Sequence, residues 1–146
     1  MKISVVIPCF NEKNTIQEII ERVRKESKYD KEIIVIDDFS TDGTREILTD
    51  KINTNIDKLI LNDNNFGKGY SVRRGIKEAS SEIILIQDAD LEYDPIDYPK
   101  LIEPITKGNA DIVYGSRFIG SDEKRVLFYW HSLGNFFFNN IIKYAF

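Results

Sequence analysis

The chain has 146 residues, with 20 Lys+Arg against 24 Asp+Glu and a formal net charge of -4. That length fits one domain with a real core, and 42% hydrophobic against 30% charged residues excludes a disordered tail or a fibrous repeat. One Cys and one His exclude a disulfide framework and a zinc site, and the acidic balance excludes a general nucleic-acid binder.

The first element is the β-branched run Ile3-Ser-Val-Val-Ile7, which Pro8 is expected to stop. It is too short for the apolar core of a secretory signal, and no stretch reaches the ~18 uninterrupted apolar residues of a membrane span. The expected compartment is therefore reducing and cytosolic. Ile16, Ile19, Ile20 and Val23 follow with helical spacing, behind Asn14 or Thr15 as N-cap. Ile33-Ile-Val-Ile36 reads as a strand buried on both faces, and Thr44 to Lys51 as a short helix. Lys58 to Leu61 is a weaker strand, Tyr70 to Ala79 a helix, and Ile83-Ile-Leu-Ile86 a second doubly buried strand. Tyr98 to Lys107 forms a fourth helix, and Asp111 to Tyr114 a last weak strand. Strand alternating with helix predicts an α/β fold, a three-layer α/β/α sandwich around a mostly parallel sheet.

The end of the chain differs from the rest. Eight aromatic residues fall between Phe128 and Phe146, and no acidic residue follows Glu123. Lys124, Arg125 and Lys143 give the last 23 residues +3, which leaves -7 on the remainder. Val126, Leu127, Trp130, Leu133, Phe137, Ile141 and Tyr144 keep helical spacing. Such a helix either lies in a membrane interface or packs on protein. His131, alone among aromatics, reads as a packing residue.

Open parallel sheets bind ligands outside the carboxyl ends of their strands. Each predicted strand end is indeed followed by polar groups: Pro8-Cys-Phe-Asn-Glu12, Asp37-Asp-Phe-Ser-Thr-Asp-Gly43, Gln87-Asp-Ala-Asp-Leu-Glu92 and Gly115-Ser-Arg117. Asp88-Ala-Asp90 is the sharpest of these. Two carboxylates leaving a buried strand can share one hard cation, Mg2+ or Mn2+, with Glu92 as a third oxygen. The competing reading is a solvated acidic turn. An EF-hand is excluded, since Tyr93 stands where the loop needs glycine. Asp37 or Asp38 can accept from a nucleobase or ribose, while Ser40, Thr41 or Asp42 with Gly43 reads as a helix cap. Asn65-Phe-Gly-Lys-Gly69 has neither P-loop nor dinucleotide spacing and reads as a loop entering a helix. Lys68 either neutralises a substrate phosphate or is solvated. Arg117 and Arg125 carry guanidinium groups suited to phosphate.

Together these stretches resemble the family 2 glycosyltransferases. Val5-Val-Ile-Pro-Cys-Phe-Asn-Glu12, Ile36-Asp-Asp-Phe-Ser-Thr-Asp-Gly-Thr44, Asn65-Phe-Gly-Lys-Gly69 and Gln87-Asp-Ala-Asp-Leu-Glu-Tyr-Asp-Pro95 carry the resemblance. Tyr114-Gly-Ser-Arg-Phe118 and Arg125 to Asn135 point to the dolichol- and polyprenyl-phosphate branch, which includes the dolichol-phosphate mannose synthases. The resemblance implies the GT-A fold, a Rossmann-like nucleotide-diphospho-sugar transferase. It implies that Pro8, Phe10, Glu12, Asp37, Asp38 and Lys68, with Asp88, Ala89 and Asp90, hold the nucleotide sugar. It also implies Asp88, Asp90 and Glu92 as metal ligands, although Gln is frequent at the third position. Asp88, Asp90, Arg117 and Arg125 are then the catalytic set.

The implied reaction is inverting transfer of a hexose from a UDP- or GDP-linked donor to a polyprenyl or dolichyl phosphate, with Mg2+ or Mn2+. Residues 1–122 are expected to form the donor-binding core, and 123–146 the incomplete start of the acceptor or membrane side. The family continues beyond this length, so a truncated chain is expected. The remaining expectations are peripheral contact at the cytoplasmic face of the membrane, no nucleic acid, and a homodimer through the aromatic end. The alternatives are a saccharide acceptor, or a non-catalytic donor-binding domain. A dehalogenase-like phosphatase fits less well, because Glu92-Tyr93 follow the acidic pair where Thr or Val is expected.

Overall fold

Buried apolar runs of this length leave the backbone only a sheet in which to pair, and here they pair side by side. The computed structural model describes residues 1–50 and 55–115. In chain order it contains β1 (Lys2–Cys9), α1 (Ile16–Lys25), β2 (Asp30–Asp37), α2 (Thr44–Asp50), β3 (Lys58–Leu61), α3 (Lys68–Glu78), β4 (Ile84–Ile86), a 3-10 turn (Pro95–Asp97) and α4 (Tyr98–Thr106). The four strands make one parallel sheet in the order β3-β2-β1-β4. β1 and β2 run in register from Lys2 opposite Asp30 to Cys9 opposite Asp37.

Two apolar clusters sandwich the sheet. Ile16, Ile19, Ile20 and Val23 of α1, Leu48 of α2 and Ile102 of α4 bury against Ile3, Val5, Ile7, Ile33 and Val35. Each fully buried side chain of this size contributes about 1.5–3 kcal/mol. On the other face Val6, Ile34 and Ile36 form the second cluster, beneath α3. The period-2 alternation of a strand sorts the residues between the faces. This is the expected α/β/α layering.

α3 lies very close to the sheet. A Cβ on Gly75 would stand 2.4 Å from Val6 Cγ1 and 2.6 Å from Ile36 Cδ1. Gly75→Ala is therefore expected to cost about 1–3 kcal/mol through overpacking. Urea denaturation checks this, and an unchanged midpoint would refute the tight contact.

Three expectations are corrected. β4 is not buried on both faces: it spans only Ile84–Ile86, stands last in the sheet order, and Ile86 is 49% exposed. β1 does not stop at Pro8 but runs to Cys9. The Ser4 N–H bonds Ile83 O and Val6 O accepts from Gln87 N, so the even-numbered polar groups of β1 face β4. The missing N–H of Pro8 thus falls beyond the last residue of β4, where the sheet asks for no bond. The run Asp111 to Tyr114 forms no strand. Ile112 and Tyr114 are largely exposed, and a β-branched run without a partner edge has no ladder to join.

By contacts the chain divides into two units, Met1–Asp111 and Ile112–Phe146. The boundary expected at 122, Arg117, Arg125, His131 and the aromatic segment 123–146 lie outside the described residues. Among the described residues no helix is long and apolar enough to cross a membrane.

Candidate functional site

The ladder delivers the polar residues to one rim. Beyond the strand ends, Asp38 N bonds Cys9 O, Asn62 N bonds Asp37 O and Gln87 N bonds Val6 O, each at 2.9 Å. The loops that follow enclose an open cleft of about 170 Å³, lined by Pro8, Cys9, Phe10, Glu12, Asp38, Lys68, Ser71, Asp88, Ala89 and Asp90. Pro8, Phe10, Glu12, Asp38, Lys68, Asp88, Ala89 and Asp90 were all candidates from the sequence.

Asp37 is not brought to the cleft. Alternation turns consecutive residues to opposite faces, and Asp37 is fully buried, 2.7 Å from Arg45 Nη2 of α2. Arg45 also donates through Nε to Asp37 at 2.8 Å and through Nη2 to Asn62 O. Asp37 therefore anchors α2 to the sheet and is not among the residues that line the cleft.

Asp38 faces the α3 side. Its Oδ1 accepts from Asn62 Nδ2 at 2.6 Å and Phe66 N at 3.1 Å, and its Oδ2 from Gly67 N at 2.7 Å. Burial alone would raise its pKa, but Asn62, the two N–H groups and Ser71 hold it below the usual carboxylate range. Asp38 so ties down the glycine-rich loop. Gly67, at φ 86, supplies the left-handed turn through which that loop enters α3. α3 consequently begins at Lys68, two residues before the helix expected from the pattern.

The loops after β1 and β2 are zipped together. Asn11 N donates to Ser40 Oγ and Glu12 N to Thr44 Oγ1, each at 2.9 Å, while Thr41 N donates to Asn11 Oδ1 at 2.9 Å. Asp42 accepts from Lys13 N at 3.1 Å and from Thr44 N at 3.0 Å, so the cap-like residues hold both loops. Thr15 is the N-cap of α1 without a side-chain cap, and its hydroxyl donates to Glu12 Oε2 at 2.5 Å instead.

The acidic loop is fixed from beneath. Gln87, almost fully buried, donates to Asp88 O at 3.0 Å and Tyr93 O at 3.1 Å, and accepts from the Tyr98 hydroxyl at 2.8 Å. Burial raises the Tyr98 hydroxyl pKa, so it stays a donor. The sequence pattern assigns Gln87, Tyr98, Asn62 and Arg45 no part in the site. A glutamine ending an apolar strand was the available signal for the first of them. Asp88 Oδ1 is 2.6 Å from Lys68 Nζ.

The three carboxylates expected around a metal are not gathered at one point. Among the described residues no three His, Cys, Asp or Glu side chains come together closely enough to hold a cation. Leu91 is left-handed at φ 64, and Glu92 N folds back on Asp90 Oδ1 at 3.1 Å. Asp88 and Asp90 line the cleft, and Glu92 is not among its lining residues. Cys9 also lines the cleft; burial, reinforced by Asp37, pushes its thiol pKa up, and its Sγ lies 3.5 Å from Ile36 O.

The model of the family described as "Glycosyl transferase family 2" matches residues 4–144. A dolichol-phosphate mannosyltransferase of Pyrococcus furiosus is 38% identical over 120 residues, 82% of this chain and 34% of that protein. An undecaprenyl-phosphate 4-deoxy-4-formamido-L-arabinose transferase of Pseudomonas fluorescens is 31% identical over 112 residues, 73% of this chain and 33% of its own. The chain thus spans about a third of the length of these relatives. Among solved structures, the mannosyltransferase PcManGT of Pyrobaculum calidifontis, in complex with GDP-Man and Mn2+, superposes with a TM-score of 0.56 at 26% identity, over 65% of this chain and 29% of that one.

Proposed function

The chain belongs to glycosyl transferase family 2, and from that membership we propose that it binds a UDP- or GDP-linked hexose in the rim cleft and transfers the hexose to a polyprenyl phosphate. One observation carries the reading. Residues that follow four separate strands, Phe10 and Glu12, Asp38, Lys68, and Asp88 with Asp90, line a single cleft at the carboxyl end of a parallel sheet. The lipid-phosphate acceptor is supported by the two relatives, whose names both carry a polyprenyl phosphate.

In this reading Pro8, Phe10, Glu12 and Asp38 hold the nucleoside, and Lys68 faces the diphosphate. Asp88 and Asp90 would hold a divalent cation, Mg2+ or Mn2+. Two carboxylates with no third fit this role, because such cations take one or two protein carboxylates and complete their shell with substrate phosphates. Bound there, the cation supplies electrostatic stabilisation of the departing nucleoside diphosphate. The acceptor makes a modest demand on the protein. A phosphate monoester has a second pKa near 6, so its oxygen is largely ionised at neutral pH without a strong base. Bringing two anions together is the harder problem, and Arg117 and Arg125 are assigned to it from the family resemblance. Peripheral contact of the 123–146 segment with a membrane belongs to the same proposal, as does pairing of two copies there.

Calorimetry with UDP, GDP and their hexose conjugates, with and without Mn2+, tests the donor half. One nucleotide is expected to bind in a metal-dependent manner, and Asp90→Asn to weaken it at least about tenfold, or about 1.4 kcal/mol. If no nucleotide binds with metal present, the reading fails. Radiolabelled sugar chased into undecaprenyl phosphate or into a free saccharide decides the acceptor.

A further inference from the structure

We propose that Lys68 is an internal stand-in for the cation, so that metal and nucleotide diphosphate favour each other's entry into the cleft. The inference rests on the donor-site reading above and adds a coupling to it. Lys68 Nζ lies 2.6 Å from Asp88 Oδ1, and both residues line the cleft. The ammonium therefore neutralises one of the two carboxylates offered to a cation.

Two structural facts make this an exchangeable contact. Lys68 is the first residue of α3, directly after the left-handed Gly67, and its side chain is 62% exposed, against 24% for Asp88. It thus swings on a flexible four-carbon stem at the mouth of the cleft, while Asp88 is held by its backbone through Gln87. A cation arriving alone must displace the ammonium into water and then sit close to it. A cation arriving with a diphosphate gives the ammonium new anionic oxygens to pair with, so the two charges cease to compete. The free energy of coupling between metal and nucleotide is reciprocal, so each tightens the other by the same factor.

The test is Lys68→Ala with Mn2+ as the probe, free Mn2+ being counted by its electron paramagnetic resonance signal. Alanine suits a helix start and the side chain removed is exposed, so folding is kept. A partly exposed ion pair of this kind is worth up to about a fivefold change in affinity. Mn2+ alone is therefore expected to bind Lys68→Ala about three- to fivefold more tightly than wild type. In the presence of saturating UDP or GDP, whichever binds wild type, the advantage is expected to vanish or reverse. Unchanged or weaker binding of Mn2+ alone to the variant, with metal-dependent nucleotide binding intact in wild type, overturns the exchange and leaves the donor-site reading standing. Absence of both Mn2+ and nucleotide binding in wild type overturns the two together.

Discussion

Replacing Asp38 with alanine is expected to remove roughly 3–5 kcal/mol of stability and most nucleotide affinity with it. The carboxylate accepts three bonds at 2.6–3.1 Å, from Asn62 Nδ2, Phe66 N and Gly67 N. Asn62 is fully buried, so its amide would keep Ser71 Oγ at 3.1 Å but lose its shorter bond with no water to replace it. Each buried donor left unpaired costs about 1–3 kcal/mol. Phe66 is 47% exposed, so its neighbourhood can rehydrate and its share is the smallest. Released from Asp38, the loop no longer presents Lys68 at a fixed height above Asp88. Urea denaturation and nucleotide calorimetry on the same preparation measure both effects. Asp38→Asn keeps one carbonyl oxygen and sets an amide against the Gly67 N–H, so an intermediate loss is expected. If Asp38→Ala unfolds within about 1 kcal/mol of wild type and binds nucleotide equally well, the carboxylate is not the tether.

The second large effect is a loss of stability in acid, and it arises at the opposite rim. Ser4 and Glu32 are direct neighbours on β1 and β2. Glu32 Oε2 accepts from Ser4 Oγ at 2.7 Å and from Ser80 N and Oγ at 2.8 Å, while Oε1 lies 3.2 Å from Lys58 Nζ. Burial pulls the carboxyl pKa up, but Ser4, Ser80 and Lys58 outweigh it and hold the group at about 2 against an ordinary 4.5. A carboxyl whose pKa is depressed in the folded state stabilises that state above its unfolded pKa. The contribution is therefore complete above about pH 4.5 and is lost as the pH falls toward 2. That difference corresponds to about 3 kcal/mol. The Asp38 carboxyl, also lowered, acts in the same direction. Thermal or urea melts between pH 7 and pH 2.5 should show wild type losing more stability than Glu32→Gln, which starts lower and has no charge to lose there. Equal slopes for the two proteins would remove Glu32 from the account.

These two carboxylates also show what a sequence tells and what it withholds. Ile33-Ile-Val-Ile36 announces a strand buried on both faces, because its length and its β-branched residues favour a strand over a buried helix segment. Ile16, Ile19, Ile20 and Val23 announce the helix face beside it, and all four are buried. The rule that ligands gather at strand ends then finds the cleft, since it needs only the order of the elements. What the strand pattern does not show is partnership. Glu32 lies in β2 as an ordinary charged residue until Ser80 arrives from 48 residues away. Asp37 and Asp38 look interchangeable, and only the face each one meets separates Arg45 from Asn62. Glu92 looks equivalent to Asp90, yet the left-handed Leu91 between them is a feature of the folded backbone. Asp111 to Tyr114 fails for a related reason, since strand-forming residue types do not create a neighbouring edge.

The alternation that parts Asp37 from Asp38 has a consequence for folding fidelity. A slip of β2 by one residue against β1 sends every side chain of the strand to the other layer. Asp37 would then leave Arg45, and Asp38 would leave Asn62 and the glycine-rich loop. The mispaired chain would bury two carboxylates without their counterparts, at a cost of several kcal/mol for each. A purely aliphatic strand such as Ile33-Ile-Val-Ile36 offers little resistance to such an error, because either face is equally greasy. The acidic pair at its end thus penalises a slipped register, and one of its members, Asp38, also lines the cleft that correct pairing produces.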